Sequence, residues 1–162
     1  MSIFKNIQRP EMKIIGREAR TDNKAEMSGA GKIGPLWQRF IQEEIQAKIP
    51  NKVHPEITLS VYSDYETDET GPYSVTIGCE VSSFNEVPPG FVKKTLPAQK
   101  YAMLTTKRGE IPGIILDAWK TVWSATSQQL GGKRFRGGDF ELYDARSQDP
   151  KNAQVDIFVG VQ

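Results

Sequence analysis

The sequence predicts an α+β fold: two pseudo-symmetric strand-helix-strand-strand repeats forming a curved antiparallel sheet that carries two helices and leaves a central pocket. Three observations predict it. Two segments with helical apolar spacing, each opened by a proline, are each followed by a pair of alternating segments. Landmark residues recur at a nearly constant offset. Each helix has a single apolar stripe, so neither half can bury its surface alone.

In chain order, Lys13 to Ala19 is a short strand, and the polar, small-residue stretch Arg20 to Gly31 reads as a long loop that could act as a lid. The first helix is marked by Gly34 and Pro35 and by the stripe Ile33, Trp37, Phe40, Ile41 and Ile45, and Pro50 ends it. Ile57 to Tyr65 and Tyr73 to Val81 alternate on either side of the acidic tip Glu66 to Gly71, which makes a hairpin. Ser82 to Pro89 is a turn-rich loop.

The order then recurs: strand Lys100 to Thr106, helix Ile111 to about Thr126 with Pro112 in its first turn, strand Phe140 to Ala145 and strand Val155 to Val161. Trp37 and Trp119 are 82 residues apart, Tyr62 and Tyr143 are 81 apart, and Ile77 and Ile157 are 80 apart. One domain over residues 1–162 follows, with repeats at about 10–82 and 90–162 and no DNA-binding domain.

Bulk composition fits a globular protein, at 38% hydrophobic and 25% charged residues. A net charge of +1 provides no field to draw the chain onto nucleic acid or an anionic membrane, so no direct nucleic-acid partner is expected. No stretch approaches the apolar length of a membrane span, and the start has no secretory h-region, which points to the cytoplasm. A single cysteine, Cys79, and a single histidine, His54, exclude an internal disulfide and a zinc finger or ribbon by counting.

Several motifs invite chemistry and fail on context. Gly29-Ala30-Gly31-Lys32-Ile33-Gly34 matches G-x-G-x-x-G, but a polar segment precedes it and no parallel βαβ unit surrounds it. A calcium loop begun at Asp64 has Glu69 where glycine belongs and Val75 where the bidentate glutamate belongs. Lys133, Arg134 and Arg136 lie between glycine pairs and read as a solvated loop. No cofactor or metal is expected.

The remaining segment is Asp139-Phe140-Glu141-Leu142-Tyr143. On a strand, Glu141 and Tyr143 share one face and Phe140 and Leu142 the other. Pattern alone leaves the Glu141 face equally assignable to water and to the groove beside Trp37 and Trp119. In the groove, the carboxylate would be partly desolvated and would need a charge or good donors to answer it.

With these elements the sequence resembles the gyrase-inhibitor-like effector-binding family, a small-molecule sensor domain also found fused to AraC-type and MerR-type transcription activators. The resemblance rests on Ile33-Gly34-Pro35-Leu36-Trp37-Gln38-Arg39-Phe40, Tyr73-Ser74-Val75-Thr76-Ile77-Gly78-Cys79-Glu80-Val81, Gln99-Lys100-Tyr101-Ala102-Met103, the Trp119 to Trp123 helix, and the Asp139 to Tyr143 strand. It implies paired repeats around a hydrophobic pocket, with Glu141 as the acidic residue that contacts lipophilic, cationic ligands. Tyr143, Trp37, Trp119, Phe158 and Tyr62 are the aromatic positions expected to line that pocket. Two alternatives come with the family: a hydrolase of strained cyclopropane-bearing electrophiles, for which Glu141 with Tyr143 or Tyr101 supplies the residue types, and inhibition of a protein partner such as DNA gyrase.

Overall fold

The computed structural model describes residues 3–162. Its strands are β1 (Lys5–Arg9), β2 (Met12–Thr21), β3 (Thr58–Ser63), β4 (Tyr73–Val81), β5 (Val92–Leu96), β6 (Gln99–Thr105), β7 (Asp139–Tyr143) and β8 (Asp156–Val161). The helices are α1 (Asn23–Met27), α2 (Ile33–Gln42), α3 (Ile45–Lys48), α4 (Gly113–Ser124) and α5 (Ser127–Leu130). One antiparallel sheet runs β1-β6-β8-β7-β3-β4-β2-β5. Two copies of a strand-helix-strand-strand unit are visible in that order: β2, α2, β3 and β4 form one half, and β6, α4, β7 and β8 the other. They meet at β7 and β3, where Glu141 stands opposite Ser60.

Each repeat is preceded by one additional strand that pairs with the other repeat. β1 pairs with β6, with Arg9 opposite Gln99, and β5 pairs with β2, with Leu96 opposite Met12. The chain passes from β1 to β2 through Pro10-Glu11 and from β5 to β6 through Pro97-Ala98, so the two arms run side by side in one antiparallel register that continues from Arg9 opposite Gln99 to Met12 opposite Leu96. Proline has no N–H to give to a ladder, and it fits where each arm leaves one half of the sheet for the other. Sequence alternation missed β1 and β5 because both are short and mostly polar, with Ile7 the one apolar residue of β1 and Val92 and Leu96 the two of β5.

The exchange curls the sheet and gives it a core on each face. On one face, α2 and α4 cover Ile15, Tyr73, Val75, Ile77, Val159 and their neighbours. The other face buries Met12, Ile14, Val61, Tyr101, Phe140 and Phe158 using strand residues alone. Arg9 lies 5.4 Å from the Phe140 ring and 5.2 Å from the Phe158 ring, capping that second core by cation–π contact. Within the sheet, Gly16 and Gly78 stand opposite one another so closely that a Cβ on Gly78 would lie 2.0 Å from the Ile15 carbonyl oxygen.

The segment expected as a long loop at Arg20 to Gly31 is largely ordered. β2 continues to Thr21, and Asp22 caps α1 by accepting from the Ala25 N–H at 2.7 Å. Glu26 then accepts from the Lys32 N–H at 2.7 Å and from the Ile33 N–H at 3.4 Å, giving α2 the cap that its own sequence lacks. Nor is the basic loop merely solvated, since Arg136 pairs with Glu69 at 2.8 Å and Arg134 with Asp139 at 2.7 Å. The first helix breaks at Glu44, whose φ of 51° sends Ile45 into α3 rather than onward along α2. Among the described residues, no helix is long and apolar enough to cross a membrane.

Candidate functional site: a buried carboxylate with neutral donors

β7 turns Asp139, Glu141 and Tyr143 toward the helices and Phe140 and Leu142 toward the strand-only core, as period-two geometry requires. Glu141 is 1% exposed. The Tyr62 hydroxyl and the Trp119 indole N–H both donate to its Oε2 at 2.7 Å, and the Tyr143 hydroxyl donates to its Oε1 at 2.5 Å. All three donors are neutral. Among the described residues, no cation forms an ion pair with Glu141.

Burial pushes the Glu141 pKa upward, and the bonds from Tyr143, Trp119 and Tyr62 pull it back only in part. The same burial, reinforced by the Glu141 charge, holds the Tyr62 and Tyr143 phenols well above their ordinary values. They therefore stay protonated and serve as donors.

The rings around this carboxylate form two groups that meet at its oxygens. Trp37 of α2 meets Tyr143 edge-on with centroids 4.8 Å apart, and Tyr62 meets Trp119 edge-on at 5.4 Å. The matched tryptophans of the two repeats thus reach Glu141 from different helices, Trp119 directly and Trp37 through Tyr143. Tyr73 adds a further edge against Tyr62 at 5.7 Å and donates to Asn23 Oδ1 at 2.7 Å, tying the cluster to α1. Trp123, one turn beyond Trp119, lies 6.3 Å from it. Tyr73 and Trp123 were not expected in the site, although alternation along β4 and the i, i+4 spacing along α4 both carry the signal.

Phe158 and Tyr101 do not belong to this cluster. Phe158 is the register partner of Phe140, with ring centroids 4.5 Å apart, and Tyr101 packs on both rings in the strand-only core. The sheet separates them from Glu141. Alternation decides this, because Ile157 and Val159 occupy the helix-facing positions of β8 and Phe158 falls between them. Of the residues expected at the site, the fold brings together Glu141, Tyr143, Trp37, Trp119 and Tyr62.

Asp139 provides an internal comparison on the same strand and face. It is fully buried and accepts from Arg134 at 2.7 Å, from the Tyr65 hydroxyl at 2.5 Å and from the Gly160 N–H at 2.7 Å. Its countercharge is built into the protein. Glu141, two residues away, has three donors and, among the described residues, no countercharge. An isolated buried carboxylate costs several kcal/mol even after relaxation, and neutral hydrogen bonds offset only part of that cost. Such a group can take up a proton or receive a cation.

Elsewhere the chemistry is sparse. Burial pushes the Cys79 thiol up to about 11, away from nucleophilic use. Among the described residues, no cluster of three His, Cys, Asp or Glu side chains could hold a metal ion.

A chain with this sheet and this site matches the profile of Cass2, the integron-associated effector-binding proteins, over residues 7–161. The chain belongs to the Cass2 family. It is 30% identical to the putative transcriptional regulator YobU of Bacillus subtilis over 161 residues, covering 98% of each chain. It is 31% identical to the transcriptional regulator BrlR of Pseudomonas aeruginosa over 157 residues, covering 96% of this chain and 54% of BrlR, so it spans about half of that relative. Among solved structures, the integron cassette protein of Vibrio cholerae superposes with a TM-score of 0.73 at 26% identity, covering 98% of this chain and 95% of that one. SAV2435, solved bound to tetraphenylphosphonium, superposes with a TM-score of 0.77 at 19% identity, covering 98% and 93%, and shares the fold. This Cass2-family protein is thus an effector-binding domain related to transcription regulators.

Proposed function

We propose that this Cass2-family protein binds lipophilic, positively charged small molecules, with Glu141 supplying the countercharge and Trp37, Trp119, Tyr62 and Tyr143 the aromatic walls. The observation that carries this reading is the contrast between Asp139, which has Arg134, and Glu141, which has only neutral donors. A ligand cation completes at Glu141 what Arg134 completes at Asp139. Aromatic faces add roughly 0.5–2 kcal/mol each by cation–π attraction and tolerate many shapes, so at Glu141 the selection is by charge. The tetraphenylphosphonium held by SAV2435 belongs to this class of ligand.

The reading predicts a pH dependence with a definite sign. Because burial raises the Glu141 pKa, protons compete with the cation at the same carboxylate. Tetraphenylphosphonium keeps its charge at every pH. Its affinity will be constant well above the Glu141 pKa and will fall by up to about tenfold per pH unit below it. Equilibrium dialysis across that range measures the effect, and Glu141→Gln will flatten it. A wild-type affinity that does not change with pH while the fold persists would count against the reading.

A further inference from the structure

Next to the buried site lies an open cavity of about 320 Å³, lined by Trp37, Phe40 and Ile41 of α2, by Glu44 and Gln46, by Ala47 of α3 and by Thr58 of β3. Two of these residues tie it to the carboxylate. Trp37 contacts Tyr143, the donor to Glu141 Oε1, so one indole serves both spaces. Thr58 is the register partner of Tyr143 across β3 and β7.

The polar groups of the cavity are mostly engaged within the protein. Thr58 donates to Gln46 Oε1, and Gln46 Nε2 donates to the Pro55 carbonyl at 2.7 Å. What remains for a ligand is apolar surface and one carboxylate. Ile41 is 69% exposed at the cavity rim, and Glu44 is exposed with no ion pair among the described residues. The left-handed backbone at Glu44 separates α2 from α3 and leaves this residue in the cavity lining.

We propose that this cavity is an outer subsite for the same cations: it takes an aromatic arm of the ligand against Trp37, Phe40 and Ile41, while Glu44 draws positive charge toward the Trp37 and Tyr143 contact. The inference rests on the cation-binding reading of Glu141 and adds a second recognition element to it. Affinity should then depend on the arms of the ligand as well as on its charge, and association should be faster at low ionic strength.

Ala47→Trp, at an exposed helix position, fills the cavity without touching Glu141. Ile41→Lys places a cation at the rim, at a position too exposed to disturb folding. The probe is tetraphenylphosphonium, titrated into wild type, both variants, Glu44→Gln and Glu141→Gln, with stopped-flow association measured at low and high salt. Each cavity variant is expected to weaken binding about tenfold or more, and Glu44→Gln to slow association several-fold at low salt only. Wild-type affinity in both Ala47→Trp and Ile41→Lys, alongside loss of binding in Glu141→Gln, would overturn the outer subsite and leave the Glu141 reading standing. Failure of wild type to bind the probe at all would overturn both.

Discussion

Replacing Asp139 by Asn will destabilise the fold by about 3–5 kcal/mol, whereas replacing Glu141 by Gln will leave it at least as stable as wild type near neutral pH. Removing the Asp139 charge strands Arg134, whose side chain is 15% exposed, and weakens the acceptor for Tyr65 and the Gly160 N–H. Removing the Glu141 charge strands no countercharge. A Gln carbonyl there can accept from Tyr62 and Trp119 together, and its NH₂ can donate to a Tyr143 hydroxyl that rotates to accept.

The sign with pH follows from the raised Glu141 pKa. Its contribution to stability is fully present below the ordinary carboxyl value of 4.5 and is lost as pH rises through the folded pKa. The advantage of Glu141→Gln should therefore appear near neutrality and vanish in acid. Urea unfolding of wild type, Asp139→Asn and Glu141→Gln at the two pH values checks this. Equal destabilisation by both substitutions would mean that Glu141 is a structural residue like Asp139.

The same substitution should act in the opposite sense on the ligand. Glu141→Gln will weaken tetraphenylphosphonium binding by roughly 1–3 kcal/mol, while a neutral aryl analogue loses little. In wild type, the cation relieves a carboxylate that is already desolvated, so much of the desolvation cost has been met in folding and the attraction acts at low effective dielectric. In the variant, only the aromatic walls and apolar burial remain. Stability and affinity thus move apart at a single position, which a purely structural glutamate would not allow. Calorimetric titration of both ligands into both proteins measures the difference.

Much of this was legible in the sequence, for reasons that differ from residue to residue. The two halves could be read because Trp37 and Trp119, Tyr62 and Tyr143, and Ile77 and Ile157 hold an offset of 80 to 82 residues, and a repeat leaves that mark whatever its loops do. The face shared by Glu141 and Tyr143 followed from strand alternation. Alternation also placed Phe158 on the opposite face, beside Phe140, and its aromatic character alone could not move it across.

β1 and β5 left little local signal. Their stability comes from pairing with the other repeat, which is a tertiary effect. The role of Arg134 was hidden for a related reason: Gly137 and Gly138 turn the chain so that a residue five positions before Asp139 folds back onto it, and spacing alone does not encode that. Nor did polarity distinguish a loop from a docked segment at Arg20 to Gly31, where Glu26 caps α2 from seven residues upstream of Ile33.

The most direct test is a crystal structure of the protein with tetraphenylphosphonium bound. The phosphonium centre is expected over the Trp37 and Trp119 rings, its charge facing the Glu141 carboxylate with a phenyl carbon within about 4 Å of a carboxylate oxygen, and at least one of the Tyr62, Tyr143 and Trp119 bonds broken to admit it. A cation held elsewhere, with Glu141 still sealed by all three donors, would contradict this.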